Sequence, residues 1–144
     1  MTLREAIRDA IAAEKSAEKF YGRLAKEAKD LEAQAFFEGM RDQERDHAVW
    51  IEKIASVAPA DGEPGSALGN VRLVETLPDW SEASSLDLTR AVESAIEAEH
   101  HAAMFYDAIA GGTTGEIQEL FLKLQRAEES HASGLERLLA DLQG

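Results

Sequence analysis

The sequence predicts an all-α fold: a four-helix bundle made of two repeated helical hairpins joined by a long crossover. Three observations carry this. Apolar residues recur at alternating spacings of three and four along four separate stretches, the pattern of helices that each bury one stripe. The second half of the chain repeats the pattern of the first at a nearly constant offset. Proline and glycine concentrate between the halves, in a stretch too long for an ordinary turn.

The 144 residues are enough for one domain with a real core. Alanine, leucine, glutamate, lysine and arginine dominate, which favours helix. The formal net charge of -13 and the lack of a basic cluster argue against nucleic acid and against an anionic membrane surface as partners. There is no cysteine, hence no disulfide, no thiolate zinc site and no built-in rubredoxin-type iron centre. No segment is apolar enough to span a membrane. The chain opens Met-Thr-Leu-Arg-Glu without the apolar run of a signal peptide. A soluble cytoplasmic protein is expected.

Thr2 and Glu5 have the spacing of a capping box, so the first helix is expected to start at Thr2. Its seam reads Leu3, Ile7, Ala10, Glu14, Ala17, Tyr21, Leu24, Ala28, and it is expected to end near Lys29 and Asp30. The second seam reads Ala33, Phe37, Met40, Glu44, His47, Ile51, Ile54 and must stop before Pro59. A crossover over 58–84 follows, with Val71, Leu73, Val74, Leu77 and Trp80 to hold it against the bundle. The third helix is expected from Ser84 or Ser85, with the seam Leu88, Val92, Ala95, Glu99, Ala102, Tyr106, Ile109, and it stops at Gly111-Gly112. Thr113 and Glu116 offer a second capping box for the last seam: Ile117, Phe121, Leu124, Glu128, His131, Leu135, Leu138, Leu142. The expected organisation is a single domain over 1–144, with one hairpin at 2–57 and the other at 85–143.

The repeat aligns Ala10–Glu14 with Ala95–Glu99 and Phe20-Tyr21 with Phe105-Tyr106 at an offset of 85. Phe37, Glu44, His47, Ile51 and Ile54 align with Phe121, Glu128, His131, Leu135 and Leu138 at an offset of 84, the missing residue falling at a hairpin turn. Glu14 lies roughly 16 residues before the first turn, and Glu44 and His47 roughly 14 to 17 after it, so at about 1.5 Å per residue the three meet at one level. Glu99, Glu128 and His131 do the same in the second hairpin. A Glu-x-x-His pair projects from one helix face. Six ionisable side chains therefore converge midway along the core. The crossover must run the length of the bundle, about 40 Å for helices of about 26 residues, which relates the hairpins by a two-fold axis perpendicular to it.

Four carboxylates in a dry core would each cost several kcal/mol uncompensated. Protonation is one answer. Two divalent cations are the more economical one, and oxygen ligands with one imidazole per metal suit iron or manganese. A glutamate from each of two helices plus Glu-x-x-His from each of the other two is the dinuclear carboxylate pattern of ferritin-like bundles. Tyr21 and Tyr106, two turns from Glu14 and Glu99, are either core aromatics with a hydroxyl partner or donors to a ligand carboxylate across the bundle. His100, His101, Glu18 and Glu129 are expected at the surface, and Trp50 at the core edge or on a dimer surface.

On Glu14 with Tyr21, Glu44-Arg45-Asp46-His47, Glu99 with Tyr106, and Glu128-Glu129-Ser130-His131, the chain resembles the rubrerythrin branch of the ferritin-like superfamily, over nearly its whole length except the crossover. The resemblance implies a non-haem di-iron centre that reduces hydrogen peroxide or oxygen while oxidising ferrous iron. It implies Glu44 and Glu128 as bridging ligands, with Glu14, His47, Glu99 and His131 terminal, and two iron ions as cofactor. Two departures stand out. The rubredoxin domain of full rubrerythrins, with its four cysteines, has no counterpart, so an external electron donor is implied. Ala102 stands where the family carries an extra glutamate associated with its peroxidase members. Besides this peroxidase or ferroxidase reading, an iron storage or sequestration module and a metal-free structural bundle stay open. A homodimer is a further expectation, from apolar residues around Trp50 and in the crossover.

Overall fold

The structure, a computed structural model, describes residues 1–68, 78–80 and 87–144. Four helices carry the fold among the described residues: α1 Leu3–Glu27, α2 Leu31–Ala55, α3 Leu88–Gly111 and α4 Gly115–Gln143. α1 packs along α2, and α3 along α4, so each half is a hairpin. No helix among them is long and apolar enough to cross a membrane.

The seams become the core. Every seam residue expected in α1 is buried, Glu14 included. In α2 the seam is buried through Ile51, and Ile54 is half-buried. At the far end of α4 the seam runs out, with Leu142 exposed. The repeat equivalents Phe37 and Phe121 are both fully buried, each contributing about 1.5–3 kcal/mol of apolar burial.

The helix ends show which local signals hold. Thr2 caps α1, its Oγ1 accepting from the Glu5 N–H at 3.2 Å. Asp30 begins α2 rather than ending α1: its Oδ2 accepts from the Ala33 N–H at 3.3 Å. α3 begins at Leu88 rather than at the serines, because Asp87 is extended and its Oδ1 accepts from the Arg90 N–H at 2.9 Å. Ser84 and Ser85 themselves lie outside the described residues. The capping box expected at Thr113 does not form. Thr114 is the N-cap and makes no side-chain cap bond, while the Thr113 hydroxyl turns back to donate to the Ile109 carbonyl at 3.0 Å. Gly115 opens α4 at φ +65, a left-handed conformation that side chains disfavour.

The connection between the hairpins is anchored at both ends of the bundle. Near its start, the Leu3 N–H donates to the Ser66 carbonyl at 2.7 Å. Thr2 and Ala67 form an isolated antiparallel bridge, and Arg4 Nε donates to the Pro59 carbonyl at 3.0 Å. Ala58 and Leu68 belong to an apolar cluster built on Leu3, Ile7, Ile51 and Ile109. Trp80 belongs to the other cluster, with its ring 5.2 Å from that of Phe20 and 5.4 Å from that of Tyr21. The described parts of the connection thus lie in different clusters, Leu68 in the one and Trp80 in the other. Val71, Leu73, Val74 and Leu77 lie outside the described residues. Between the two clusters the core turns polar.

Candidate metal centre

Glu14, Glu44, His47, Glu99, Glu128 and His131 come together in that polar layer. None is more than 5% exposed. α1 and α3 each supply one glutamate, and α2 and α4 each supply a Glu-x-x-His pair. His47 Nδ1 lies 3.0 Å from Glu128, 3.5 Å from Glu44 and 3.6 Å from Glu14. His131 Nδ1 lies 3.1 Å from Glu44, 3.4 Å from Glu99 and 3.9 Å from Glu128. The imidazoles face one another nearly parallel, with ring centroids 5.9 Å apart.

Two overlapping donor groups result. Glu14, Glu44, His47 and Glu128 offer one atom each within 4.8 Å of one another, and so do Glu44, Glu99, Glu128 and His131. Glu44 and Glu128 are common to both. The hydrogen bonding points the same way. Buried side-chain atoms without a hydrogen-bond partner, among the described residues, are one atom from each of these six: Glu14 Oε2, Glu44 Oε1, His47 Nδ1, Glu99 Oε2, Glu128 Oε1 and His131 Nδ1. Orphaned buried polar atoms are rare and costly. Six aimed at one another form a donor set that could hold metal ions, and four carboxylates would balance two divalent ions in charge.

The outer oxygens of two glutamates are held across the bundle. Tyr106 of α3 donates to Glu14 Oε1 of α1 at 2.5 Å, and Tyr21 of α1 donates to Glu99 Oε1 of α3 at 2.8 Å. The pairs are exchanged by the two-fold repeat. Of the two readings of these tyrosines, the geometry has the hydroxyls on the carboxylates. Burial, then the adjacent glutamates, pushes both phenols well above their ordinary range, which keeps them protonated as donors.

Without cations the layer retains protons. Burial raises the Glu44 carboxyl well above the usual range, helped by Glu14 and Glu99. Burial raises Glu128 likewise, helped by Glu14 and Glu44. Burial alone would lower His47, but its contacts with Glu128 and Glu14 outweigh this and raise it to about 9. A divalent ion would take the place of those protons.

A sequence model of the rubrerythrin family matches residues 5–139. The chain belongs to the rubrerythrin family. Its bundle is similar to the crystal structure of a protein from Thermotoga maritima assigned as a ferritin-like diiron-carboxylate protein. That similarity covers 97% of this chain and 95% of the other, with a TM-score of 0.82 and 25% sequence identity. Curated proteins compared by sequence give no match. The chain holds no cysteine within its 144 residues, so no rubredoxin-type centre can form from them.

The residues expected at the surface lie outside the layer. His100 is exposed, with Nε2 3.3 Å from Glu136, and His101 is half-exposed. Glu18 accepts from Arg45 Nε at 2.8 Å, and Glu129 is exposed. Trp50 is half-buried, its ring 5.3 Å from that of His47 and beneath Lys123 Nζ at 4.3 Å. One neighbour of the site escapes the seam pattern altogether. Gln43, at an exposed position on α2, places Oε1 2.7 Å from His131 Nε2. The signal for it in the sequence is a break in the repeat, since the equivalent of Gln43 in the second hairpin is Ala127.

Proposed function

We propose that this chain is a non-haem dinuclear iron protein that oxidises ferrous iron with hydrogen peroxide or oxygen. The observation that carries the proposal is the set of six orphaned donor atoms, arranged as two groups that share Glu44 and Glu128. In this reading Glu44 and Glu128 bridge two cations. Glu14 with His47, and Glu99 with His131, complete one position each. Oxygen-rich donor sets with a single imidazole suit iron, and also manganese.

Bound iron would supply the two electrons that reduce a peroxide or oxygen molecule. The chain's own work is to hold, orient and insulate. Tyr106 and Tyr21 fix the outer oxygens of Glu14 and Glu99, which leaves the inner oxygens aimed at the cation positions. The apolar clusters on either side keep bulk water out, which strengthens every electrostatic interaction inside. Electrons for repeated turnover must arrive from a donor outside these residues.

A second reading, oxidation of iron for storage or sequestration without peroxidase turnover, is favoured by Ala102. It is buried one turn from Glu99 and supplies no further carboxylate. Rapid mixing of the ferrous-loaded chain with peroxide or with oxygen tests the proposal and separates the readings. Fast appearance of near-ultraviolet ferric absorbance, with peroxide consumed repeatedly when a reductant is present, supports the peroxidase. A single oxidation followed by uptake of excess iron supports storage. Absence of any oxidation of bound iron by either oxidant contradicts both.

A further inference from the structure

The two halves of the centre are not equivalent, and the difference lies on the outer side of the histidines. His131 Nε2 sits 2.7 Å from Gln43 Oε1. An amide oxygen only accepts, so Nε2 is the donor of this pair, and Nδ1 is the ring nitrogen left facing the carboxylates. A histidine held in this way by its outer nitrogen is oriented with Nδ1 towards a cation position.

The repeat exchanges α2 with α4, so the counterpart of the Gln43–His131 pair is Ala127 facing His47. An alanine has no amide to offer. Among the described residues no side chain hydrogen-bonds His47 Nε2. In place of the missing amide there is a pocket of about 310 Å³ lined by Gln43, Asp46, His47, Trp50, Lys123 and Ala127. The neighbouring repeat position differs too. Trp50 corresponds to Gly134, where an added Cβ would come within 3.2 Å of the Phe36 ring. On the other side the larger cavity bordered by Phe36 and Gly134 touches neither His131 nor any other residue of the polar layer, whereas the pocket beside Trp50 is lined by His47 itself.

We propose that the two cation positions are unequal by construction. Gln43 is a positioning residue that locks the His131-side position, and the His47-side position is the exchangeable one, loading and unloading through the adjoining pocket. This rests on the dinuclear reading above. Asp46 at the pocket lining gives an approaching cation a carboxylate. The ion held by Glu14, Glu44, His47 and Glu128 should leave faster than its neighbour, because His47 can turn without breaking an outer hydrogen bond.

The test is the anaerobic release of ferrous iron from the fully loaded chain to an excess of a ferrous chelator, followed by absorbance. Wild-type release is expected in two phases of equal amplitude, about tenfold or more apart, the scale on which partners of metal-bound histidines act. Gln43→Ala should speed the slow phase about tenfold and leave the fast one unchanged, and Gln43→Glu, which keeps an acceptor, should restore it. Ala127→Gln, which places an amide in the pocket, should slow the fast phase. Gln43 is exposed and Ala127 borders open space, so both variants are expected to fold. Two ions released at one rate, or a slow phase indifferent to Gln43→Ala, overturns the inference and leaves the dinuclear reading standing. Fewer than two ions bound by the wild type overturns both.

Discussion

Replacing the two shared carboxylates, Glu44→Gln with Glu128→Gln, should make the cation-free protein more stable and abolish its ability to hold two cations. Both carboxyls are buried, and burial holds their folded pKa values well above the ordinary carboxylate range. Above pH about 4.5 the unfolded chain has released those protons while the folded layer still keeps them. Stability then falls as pH rises, by up to about 1.4 kcal/mol per pH unit for each retained proton. His47, raised to about 9, acts in the same direction. Its favourable interaction is fully present below the ordinary histidine pKa near 6.5 and is lost as pH rises through about 9. Glutamine has the shape of glutamate without the charge. Glutamine is neutral without taking up a proton, so each replacement avoids a cost that grows by up to about 1.4 kcal/mol per pH unit above the ordinary carboxylate pKa. At roughly 3–5 °C per kcal/mol for a chain of this size, the cation-free double variant should melt about 5 °C or more above the cation-free wild type at pH 8. The gap should narrow towards pH 5. Ferrous iron under anaerobic conditions should raise the wild-type Tm, by about 2.7 kcal/mol at a hundredfold excess over Kd, and should not move that of the variant. Thermal melts by circular dichroism, with and without iron between pH 5 and 8, give both comparisons. A cation-free wild type as stable as the double variant at pH 8, or a variant stabilised by iron as the wild type is, would refute the reasoning.

Other consequences are simpler to measure. Tyr106→Phe and Tyr21→Phe each leave a buried carboxylate oxygen without its donor. Each should cost about 1–3 kcal/mol in thermal melts and weaken cation binding about tenfold in chelator competition. Because the empty layer keeps protons, loading ferrous iron at pH 7 should release them. Titration calorimetry in buffers of different ionisation heat should give a buffer-dependent enthalpy, and the apparent affinity should rise with pH. Gly115→Ala forces a side chain into the left-handed conformation at the start of α4 and should lower stability by about 1 kcal/mol or more, without changing the number of ions bound.

Much of the fold and of the site is legible in the sequence because both rest on periodicity. A glutamate such as Glu14 between Ala10 and Ala17 is conspicuous only when the chain is read on a helical period, and its repeat at Glu99 removes the element of chance. The same period places Tyr21 and Tyr106 two turns from Glu14 and Glu99, although it leaves open whether the hydroxyls reach a carboxylate across the bundle and which one. Helix ends depend instead on single hydrogen bonds between competing neighbours. Thr113 and Thr114 are both good caps by composition, and the hydroxyl of Thr113 is claimed by the Ile109 carbonyl of the preceding helix. Asp87 takes the cap of α3 for the same kind of local reason. Gln43 stands off the seam because its backbone position faces solvent, and only its flexible side chain reaches back to His131. Long-range pairings such as Thr2 with Ala67 carry no pattern at all in the sequence.

The central claim is that six buried side chains form one site for two cations. Elemental analysis of iron per chain, after anaerobic loading with ferrous iron and removal of the excess, tests it most directly. Two irons per chain are expected for the wild type. One iron or none, under conditions in which the bundle is folded by circular dichroism, would contradict it.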